Sequence, residues 1–286
     1  MNGILVVNKD LGYTSRDVVN IVCKELGTKK VGHTGTLDPN ATGVLVLCVG
    51  NALKLCEMLT NHDKEYIAGI TLGIETDTLD MDGTIIKEEN VLIDKDKIVD
   101  AVNSFKGSYM QEVPKYSAVK VNGRKLYDYA RNNIDVKLPS KMVDIYDIQI
   151  IDDIKYDNGK INFLIKTNVS KGTYIRSLVW DIGLKLGVPS VMSSLVRTRL
   201  GEFNISDAIK IEDIKNGDFK LISIMDCVSN IPKICVDDKL AFKIKNGVIL
   251  DKFFYGDKAF ILDKDNNLLA IYENIGDKAR VYKMFS

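Results

Sequence analysis

Three short segments of the chain combine residue types that can do chemistry. The first, residues 32–43, contains a carboxylate, Asp38, that is followed by a proline in a stretch with three glycines. Asp38 is the only acidic residue between Glu25 and Glu57. Pro39 restricts the backbone of the preceding aspartate, and the glycines let a ligand approach the chain closely. The segment can therefore hold a reactive acid, and an Asp-Pro turn without chemistry is the alternative.

The second segment, residues 170–177, reads SKGTYIRS and lies where a strand pattern changes to a helix pattern. Free backbone N–H groups at a helix start, together with Lys171, can bind a phosphate. Arg176 lies one turn into the helix and can pair with a carboxylate through two hydrogen bonds. The third segment opens a strand with Asp63 and Tyr66, where an aromatic ring can stack on an extruded base. The alternatives are an ordinary helix start and a core tyrosine.

The motifs of several large enzyme classes are absent from the sequence. It has no G-x-G-x-x-G after a strand, no Walker loop, no H-E-x-x-H and no G-x-S-x-G. Nucleotide-cofactor, ATP, zinc-protease and serine-hydrolase functions therefore lose their usual support. Two histidines, and five cysteines without a C-x-x-C pair, do not form a metal-binding pattern. We expect a protein that uses neither a metal nor a cofactor.

Composition indicates a globular protein of about two domains. The 286 residues include 39 basic and 39 acidic side chains, so the formal net charge is zero. The longest uninterrupted apolar run, residues 44–49, is far shorter than the roughly 18 residues that a membrane-spanning helix needs. The N-terminus lacks a signal-peptide pattern. We expect a cytoplasmic protein with reduced thiols and no membrane partner.

Basic residues are concentrated in two parts of this neutral chain. Residues 104–141 hold eight basic residues against three acids, and residues 166–200 hold six against one. Residues 75–100 hold nine acids and three lysines. Two basic segments on one face can bind phosphates, and scattered surface charge is the alternative. We expect both basic segments to share a face with Asp38, with the acidic segment mostly away from it.

Hydropathy patterns predict the elements that position these side chains. Strands are predicted at residues 3–8, 43–50, 64–73, 141–151, 160–169 and 191–201, and helices at residues 14–27, 52–59, 94–105 and 172–186. Residues 29–42 have no periodicity and predict a loop, and residues 157–159 predict a hairpin turn. Because strands and helices do not alternate regularly, we expect an α+β fold with a mixed, largely antiparallel sheet flanked by helices. After Pro232, short apolar runs predict a small all-β module.

Five motifs occur in one order along the chain, and the series is more specific than any one of them. They are GHTGTLDPNATGVL from Gly32, DKEY from Asp63, TDTLDMDG from Thr76, YSAVKVNGRKLYDYAR from Tyr116 and SKGTYIR from Ser170. The series closely resembles the TruB family of tRNA pseudouridine synthases over roughly residues 3–200. Together with the change of pattern after Pro232, which places a boundary between Ser229 and Lys233, it implies a synthase domain over residues 1–230. The tail, residues 231–286, resembles more weakly a PUA-like RNA-binding module.

The resemblance also implies one catalytic residue and six substrate-binding residues. Asp38 would be the nucleophile. The substrate-binding residues would be Tyr66, Tyr174, Arg176, Leu195, His33 and Lys9. Tyr66 would stack on the target base, and Arg176 would pair with Asp38 and favour its ionised form. The family usually has proline after the residue that matches Lys9, where this chain has Asp10.

The implied activity is the isomerisation of a T-loop uridine of tRNA to pseudouridine by a monomer that binds the T-arm. The base leaves its stack, N1–C1′ breaks and C5–C1′ forms, which requires no redox step, ATP or metal. Two alternatives stay open. One is a non-catalytic protein that binds tRNA or helps it fold. The other is a guide-RNA-dependent synthase of the same superfamily, although a short chain without long charged extensions favours the stand-alone form.

Overall fold

The computed structural model describes residues 1–285 and contains a large eleven-stranded sheet, a small five-stranded sheet, two two-stranded sheets and seven α-helices in that range. The strands are β1 Gly3–Lys9, β2 Val31–His33, β3 Ala41–Val49, β4 Lys64–Leu72, β5 Ile74–Thr76, β6 Ile85–Glu88, β7 Gly107–Glu112, β8 Lys120–Val121, β9 Arg124–Lys125, β10 Ser140–Ile150, β11 Lys155–Asp157, β12 Lys160–Val169, β13 Ser190–Leu200, β14 Phe203–Asn204, β15 Ile209–Lys210, β16 Lys233–Cys235, β17 Leu250–Asp251, β18 Lys258–Leu262, β19 Leu268–Ile275 and β20 Lys278–Met284. The helices are α1 Ser15–Glu25, α2 Cys56–Thr60, α3 Lys95–Asn103, α4 Leu126–Arg131, α5 Ile175–Leu186, α6 Ile211–Lys215 and α7 Asp238–Lys245. Short 3₁₀ segments cover Gly50–Leu55 and Ile205–Asp207.

The large sheet carries the predicted site segments. Its main strand order is β15-β1-β3-β13-β4-β12-β10-β7, and β2, β11 and β14 pair with β3, β12 and β13. Neighbouring strands are antiparallel except for the β1–β15 and β3–β13 pairs, which are parallel. The expected α+β fold with a mixed, largely antiparallel sheet is therefore confirmed. The strand β4, which starts at Lys64, lies in the interior of this sheet between β13 and β12.

Alternation along the strands creates two apolar layers, one on each face of the large sheet. In β1, Leu5 and Val7 pack into a cluster with helices α1, α3 and α5. Ile4 and Val6 point the other way, into a second cluster that includes the 3₁₀ segment after β3. Successive side chains of a strand point to opposite faces, which explains this division.

Helix α1 shows how local sequence positions the first part of the site. Its N-cap, Thr14, accepts a hydrogen bond from the backbone of Asp17, and the Asp17 side chain accepts one from the Thr14 backbone in return. This capping box satisfies two backbone groups that would otherwise lack partners. The buried Val18 and Val22 then lie one helical turn apart against the sheet. The predicted helix start at Thr14 is confirmed.

The expectation of an irregular loop at residues 29–42 was wrong at residues 31–33 and at residues 41–42, which begin β3. Val31–His33 forms β2, which pairs with the end of β3. Three residues carry no periodic signal, so the strand depends on its partner rather than on its own pattern. The predicted helix at 52–59 is a 3₁₀ segment followed by the short α2. The turn at 157–159 joins β12 to β11, while β12 also pairs with β10.

The C-terminal residues form the small sheet, with strand order β16-β18-β19-β20-β17. Its core contains Ile261 and Tyr272, both fully buried. The segment also contains α7, capped by Asp237, so it is not all-β as expected. Phe260 and Ile271 face the large sheet and join its second apolar cluster. Within residues 1–285, no helix is long and apolar enough to cross a membrane.

Candidate active site

Asp38 lies in the loop between β2 and β3, and buried hydrogen bonds hold the residues beside it. The hydroxyl of Ser15, the first residue of α1, donates to Leu37 O at 3.1 Å and accepts from Leu37 N at 2.9 Å. The backbone of Ala41 donates to Asp38 O at 3.0 Å. The carboxylate itself is about half exposed, with 49% of the side chain accessible. A fixed backbone thus presents a carboxylate that an incoming ligand can reach.

Lys9 anchors the same loop from below. Its fully buried ammonium group donates to Asp10 O at 3.0 Å, Tyr13 O at 2.6 Å and Pro39 O at 3.1 Å. These three bonds use all three donors of an ammonium group. Burial lowers the pKa of Lys9. The structure therefore places Lys9 behind Asp38 as a support for its loop, with no donor left for a substrate.

Arg176 lies between two carboxylates in the first turn of α5. Its Nη2 is 3.3 Å from Asp38 Oδ2, and its Nη1 is 3.4 Å from Asp80 Oδ2. The same two nitrogens donate to Tyr116 O at 3.1 Å and Thr78 O at 3.0 Å. Only 10% of the Arg176 side chain is exposed. Four acceptors thus fix a buried guanidinium so that one edge faces the carboxylate of Asp38.

A cavity of about 490 Å³ opens beside this pair. It is lined by the loop 35–38, residues 116–118, the turn and helix start 171–176, and side chains from β4 and β13. Asp38, Tyr66, Tyr174, Arg176 and Leu195 all line it, so the structure brings together five of the seven residues that the sequence predicted. These residues come from four separated parts of the chain. The cavity is of the size in which proteins bind small ligands.

Two tyrosines give the cavity an aromatic character. Tyr66 is 7% exposed in β4, where its register partners are Thr167 on β12 and Arg197 on β13. Tyr174 is the N-cap of α5, and the ammonium of Lys141 lies 5.0 Å from the centre of its ring. Rings in a half-enclosed cavity can pack against a flat, unstacked base.

Leu195 and His33 differ in their distance from this cavity. Leu195 pairs with Ala68 of β4 and Ala41 of β3, and it lines the cavity. His33 ends β2 and is not among the lining residues. Its Nδ1 is buried without a hydrogen-bond partner within the described chain, and burial lowers the pKa of the imidazole. The structure therefore places His33 outside the cavity wall.

Cations from two strands and one turn line the cavity that contains Asp38. Arg197 is 1% exposed and donates to Val44 O at 2.7 Å and to Gly35 O at 3.2 Å. Lys64 donates to Thr60 O and His62 O, and burial lowers its pKa to about 8. Both line the cavity together with Lys171. Lys171 and Arg197 belong to the predicted basic segment 166–200, whereas Lys64 lies outside both predicted segments.

Three of the nine acids in the segment 75–100 lie at the site, although that segment was expected to lie mostly away from it. Asp80 pairs with Arg176, Asp77 accepts a hydrogen bond from Tyr116 Oη at 3.0 Å, and Asp82 is hydrogen-bonded to Asn40. Burial and the neighbouring carboxylates of Asp80 and Asp38 raise the pKa of Asp82. These acids lie at the site because the loop after β5 contacts the start of α5. Counting charges along the sequence cannot predict this contact.

Sequence reasoning also missed three residues that shape the site: Asp80, Arg197 and Gln111. Asp80 lies in the TDTLDMDG motif, and Arg197 follows Leu195 by two residues. Their closeness to residues already singled out could have predicted that both lie at the site. Gln111 is fully buried in β7 and bonds to the backbone of Tyr174. Nothing in the local pattern of β7 indicates that partner. Within residues 1–285, no group of three or more His, Cys, Asp or Glu side chains could hold a metal ion.

Comparison with known proteins matches the same regions. The family model "TruB family pseudouridylate synthase (N terminal domain)" matches residues 24–175, and "tRNA pseudouridylate synthase B C-terminal domain" matches residues 176–220. The chain is 42% identical to tRNA pseudouridine synthase B of Bacillus cytotoxicus, over 96% of this chain and 93% of that protein. It is 41% identical to the protein of the same name from Bacillus subtilis, over 95% and 93%.

Solved structures share the fold at lower identity. A chain of an H/ACA RNP bound to a substrate RNA containing 2′-deoxyuridine has a TM-score of 0.72 and 24% identity, covering 99% of this chain and 85% of that one. A chain of a Cbf5-Nop10-Gar1 complex has a TM-score of 0.70 with the same identity and coverage. The matched domains and the near-complete alignment to relatives above 40% identity decide the family. The chain belongs to the TruB family of pseudouridylate synthases.

Proposed function

We propose that this protein isomerises a specific uridine in the T-loop of tRNA to pseudouridine, with Asp38 as nucleophile and without a cofactor. One observation carries the proposal: Asp38 Oδ2 lies 3.3 Å from Arg176 Nη2 on the wall of a cavity that also contains Tyr66 and Tyr174. A reachable carboxylate, a buried guanidinium and aromatic rings in one cavity suit an extruded base. Family membership makes uridine the base.

The reaction moves one bond and leaves the composition of the nucleotide unchanged. N1–C1′ breaks, the base turns, C5–C1′ forms, C5 releases its proton and N1 gains one. Asp38 would attack C1′ as the nucleophile, displacing N1; on the alternative route it would instead act as a base that removes the C2′ proton as N1–C1′ breaks, giving an eliminated sugar. Arg176 would orient the carboxylate through this step. Tyr66, which is buried in the cavity wall, would stack on the base and supply a hydroxyl where the C5 proton leaves.

Extruding the base costs a few kcal/mol, which contacts elsewhere on the RNA must offset. Lys171 at the cavity mouth and the basic residues of 104–141 and 166–200 would contribute phosphate contacts with the T-arm. Residues 1–230 would form the catalytic domain, and residues 231–286 would add RNA contacts. The protein would act as a monomer in the cytoplasm.

Tritium release from a single tRNA transcript containing [5-³H]uridine tests the proposal. Asp38→Asn should abolish turnover while RNA affinity stays within a few-fold, because only a carboxylate can be the nucleophile and the phosphate contacts lie elsewhere. The exposed Asp96→Asn, on α3, is the matched control and should match the wild type. Residual turnover of Asp38→Asn above a hundredth of wild type would remove Asp38 from this role.

The two alternatives give different results in the same system. A stand-alone enzyme releases tritium with purified protein and one transcript, whereas a guide-dependent enzyme requires an added RNA. A tRNA-folding protein refolds a misfolded transcript equally well as wild type and as Asp38→Asn. Refolding without any tritium release by the wild-type protein would therefore replace the enzymatic proposal with the chaperone.

A further inference from the structure

Lys141 stands out among the lysines near the cavity because nothing in the described chain neutralises it. It is the second residue of β10, pairs in register with Gln111 of β7 and is half-buried. Within residues 1–285 its ammonium group makes no hydrogen bond and no ion pair with an acid. A half-buried charge without a partner is costly unless a ligand supplies the opposite charge.

The ammonium of Lys141 reaches across to the turn that precedes α5. It lies 5.0 Å from the centre of the Tyr174 ring. It also occupies the space above Gly172, where a Cβ built on that glycine would overlap the Lys141 Nζ. Gly172 has a φ of +82°, a conformation that favours glycine. Backbone conformation and the missing side chain at Gly172 thus leave room for this lysine beside the cavity.

A second cation and unpaired backbone donors lie at the same place. Lys171, Gly172 and Thr173 line the cavity mouth, and the Lys171 ammonium is hydrogen-bonded only to the neutral side chain of Asn61. In the described chain, the backbone N–H groups of Lys171 and Gly172 have no hydrogen-bond acceptor. Burial and the charge of Lys171 lower the pKa of Lys141. Two adjacent cations that repel each other are stabilised by an anion between them.

We propose that Lys141, together with Lys171 and the backbone of Gly172, binds the phosphodiester group adjacent to the target nucleotide. This inference rests on the proposed function and adds a residue and a ligand group to it. Lys141 lies beside the ring of Tyr174, which lines the cavity that the extruded base would enter. The RNA backbone on either side of that base must then pass the cavity mouth, so the phosphate nearest Lys141 is one that flanks the target nucleotide. Holding that phosphate favours the extruded state of the nucleotide.

Binding of a T-arm RNA hairpin, measured at several salt concentrations without turnover, tests the assignment. Lys141→Met keeps the apolar stem against Tyr174 and removes the charge. We expect its affinity to fall about 5- to 20-fold at low salt, with the slope of log Kd against log salt reduced by about 0.7 to 0.9, as for one lost phosphate contact. Lys141→Arg should restore most of both. Lys95→Met, an exposed lysine on α3 without an ion pair, should change neither.

A neutral linkage in the RNA identifies the group that is bound. We place an uncharged methylphosphonate either 5′ or 3′ of the target uridine. At one of these two positions it should weaken binding by the wild type and abolish the difference in affinity between wild type and Lys141→Met. If Lys141→Met weakens binding equally with both neutral linkages and with normal RNA, the lysine acts through folding or through another phosphate, and the proposal fails. An unchanged salt slope with normal RNA overturns it as well.

The same measurements separate this inference from the proposed function. Coupling between Lys141 and the neutral linkage is a binding result and is expected in Asp38→Asn as well as in wild type. Tritium release measured in parallel decides whether the protein is a synthase. Coupling without tritium release would keep the phosphate site and reject the enzymatic proposal, and tritium release without coupling would do the reverse.

Discussion

The buried side-chain amide of Gln111 pairs with the backbone of Tyr174 at both of its ends. Its Oε1 accepts from Tyr174 N at 2.8 Å and its Nε2 donates to Tyr174 O at 3.1 Å. The same Nε2 donates to Tyr109 Oη at 2.6 Å, and Tyr109 Oη donates to Asp181 Oδ2 at 3.1 Å. A strand at the edge of the sheet thereby fixes the residue that begins α5. Because Arg176 lies two residues after Tyr174 in the first turn of α5, these hydrogen bonds also fix the backbone that positions Arg176.

We expect Gln111→Ala to lower the free energy of unfolding by about 1–3 kcal/mol, since it leaves the N–H group of Tyr174 without its acceptor, while Tyr174 O keeps its hydrogen bond from Leu178 N. Chemical denaturation measures this loss. The chain's other glutamine, Gln149, is exposed on β10, and its replacement by alanine should change stability by less than about 0.5 kcal/mol. Equal stability of the two variants would mean that the pairing with Tyr174 contributes nothing to the fold.

Neutralising Asp80 should reduce catalysis more than binding. Asp80→Asn removes one of the two carboxylates that hold the Arg176 guanidinium, so Arg176 loses its fixed orientation toward Asp38. We expect kcat to fall about 10- to 100-fold, equivalent to roughly 1.4–2.7 kcal/mol of barrier, with the Kd for tRNA within about threefold. Asp96→Asn, which removes the same charge from the surface, should keep the wild-type kcat. A loss that appears only in Kd would assign Asp80 to RNA binding.

Tyr66 separates stacking from proton transfer. Stacking requires only the ring and is worth about 1–3 kcal/mol per base, whereas a proton transfer requires the hydroxyl. We therefore expect Tyr66→Phe to bind tRNA nearly as well as wild type but to lose turnover, and Tyr66→Ala to lose both, with the larger loss of rate. Single-turnover tritium release and filter binding give the two quantities. If the Tyr66→Phe variant releases tritium as fast as the wild type, the hydroxyl takes no part in the chemistry and Tyr66 only stacks on the base.

Asp181 should make stability depend on pH in an unusual direction for an aspartate. Burial raises the pKa of Asp181 to about 6 in the folded protein, whereas the ordinary pKa of an aspartate is 3.8. Between these values the folded state binds more protons than the unfolded state, so the free energy of unfolding contributed by this group falls as pH rises. The contribution is present below about pH 4 and lost above about pH 6.

Asp181→Asn removes this dependence while its side-chain oxygen can still accept the bond from Tyr109. The difference in unfolding free energy between variant and wild type should therefore grow in favour of the variant as pH rises from 4 to 7. Exposed Asp153→Asn, between β10 and β11, should follow the wild type throughout. A parallel pH profile for Asp181→Asn and wild type would show that Asp181 titrates normally.

Local sequence determined those elements whose signals lie within a few residues. The start of α1 at Thr14, the strand β4 opening at Lys64 and the cap of α3 at Asp94 follow from side chains that bond to their own neighbours or from apolar alternation. The family resemblance carried by the motif series also identified five residues of the cavity wall, four of which lie inside the quoted motifs, while Leu195 lies outside them. The roles assigned to these residues stay predictions until the variants above are measured.

Only the tertiary structure decided which distant groups meet. Asp80 and Arg176 are 96 positions apart, and Gln111 and Tyr174 are 63 apart; their contacts depend on how a loop folds over α5 and on which strand lies at the sheet edge. The strand β2 likewise exists through its partner β3, and α7 through the small sheet that buries Ala241 and Ile244. The periodicity of apolar residues and the residue types at turns predict which face of a segment is buried. They do not predict which other segment covers that face. The partners of Arg176 and Tyr174, and the place of Lys141 beside the Tyr174 ring, are therefore set by the packing of the whole chain.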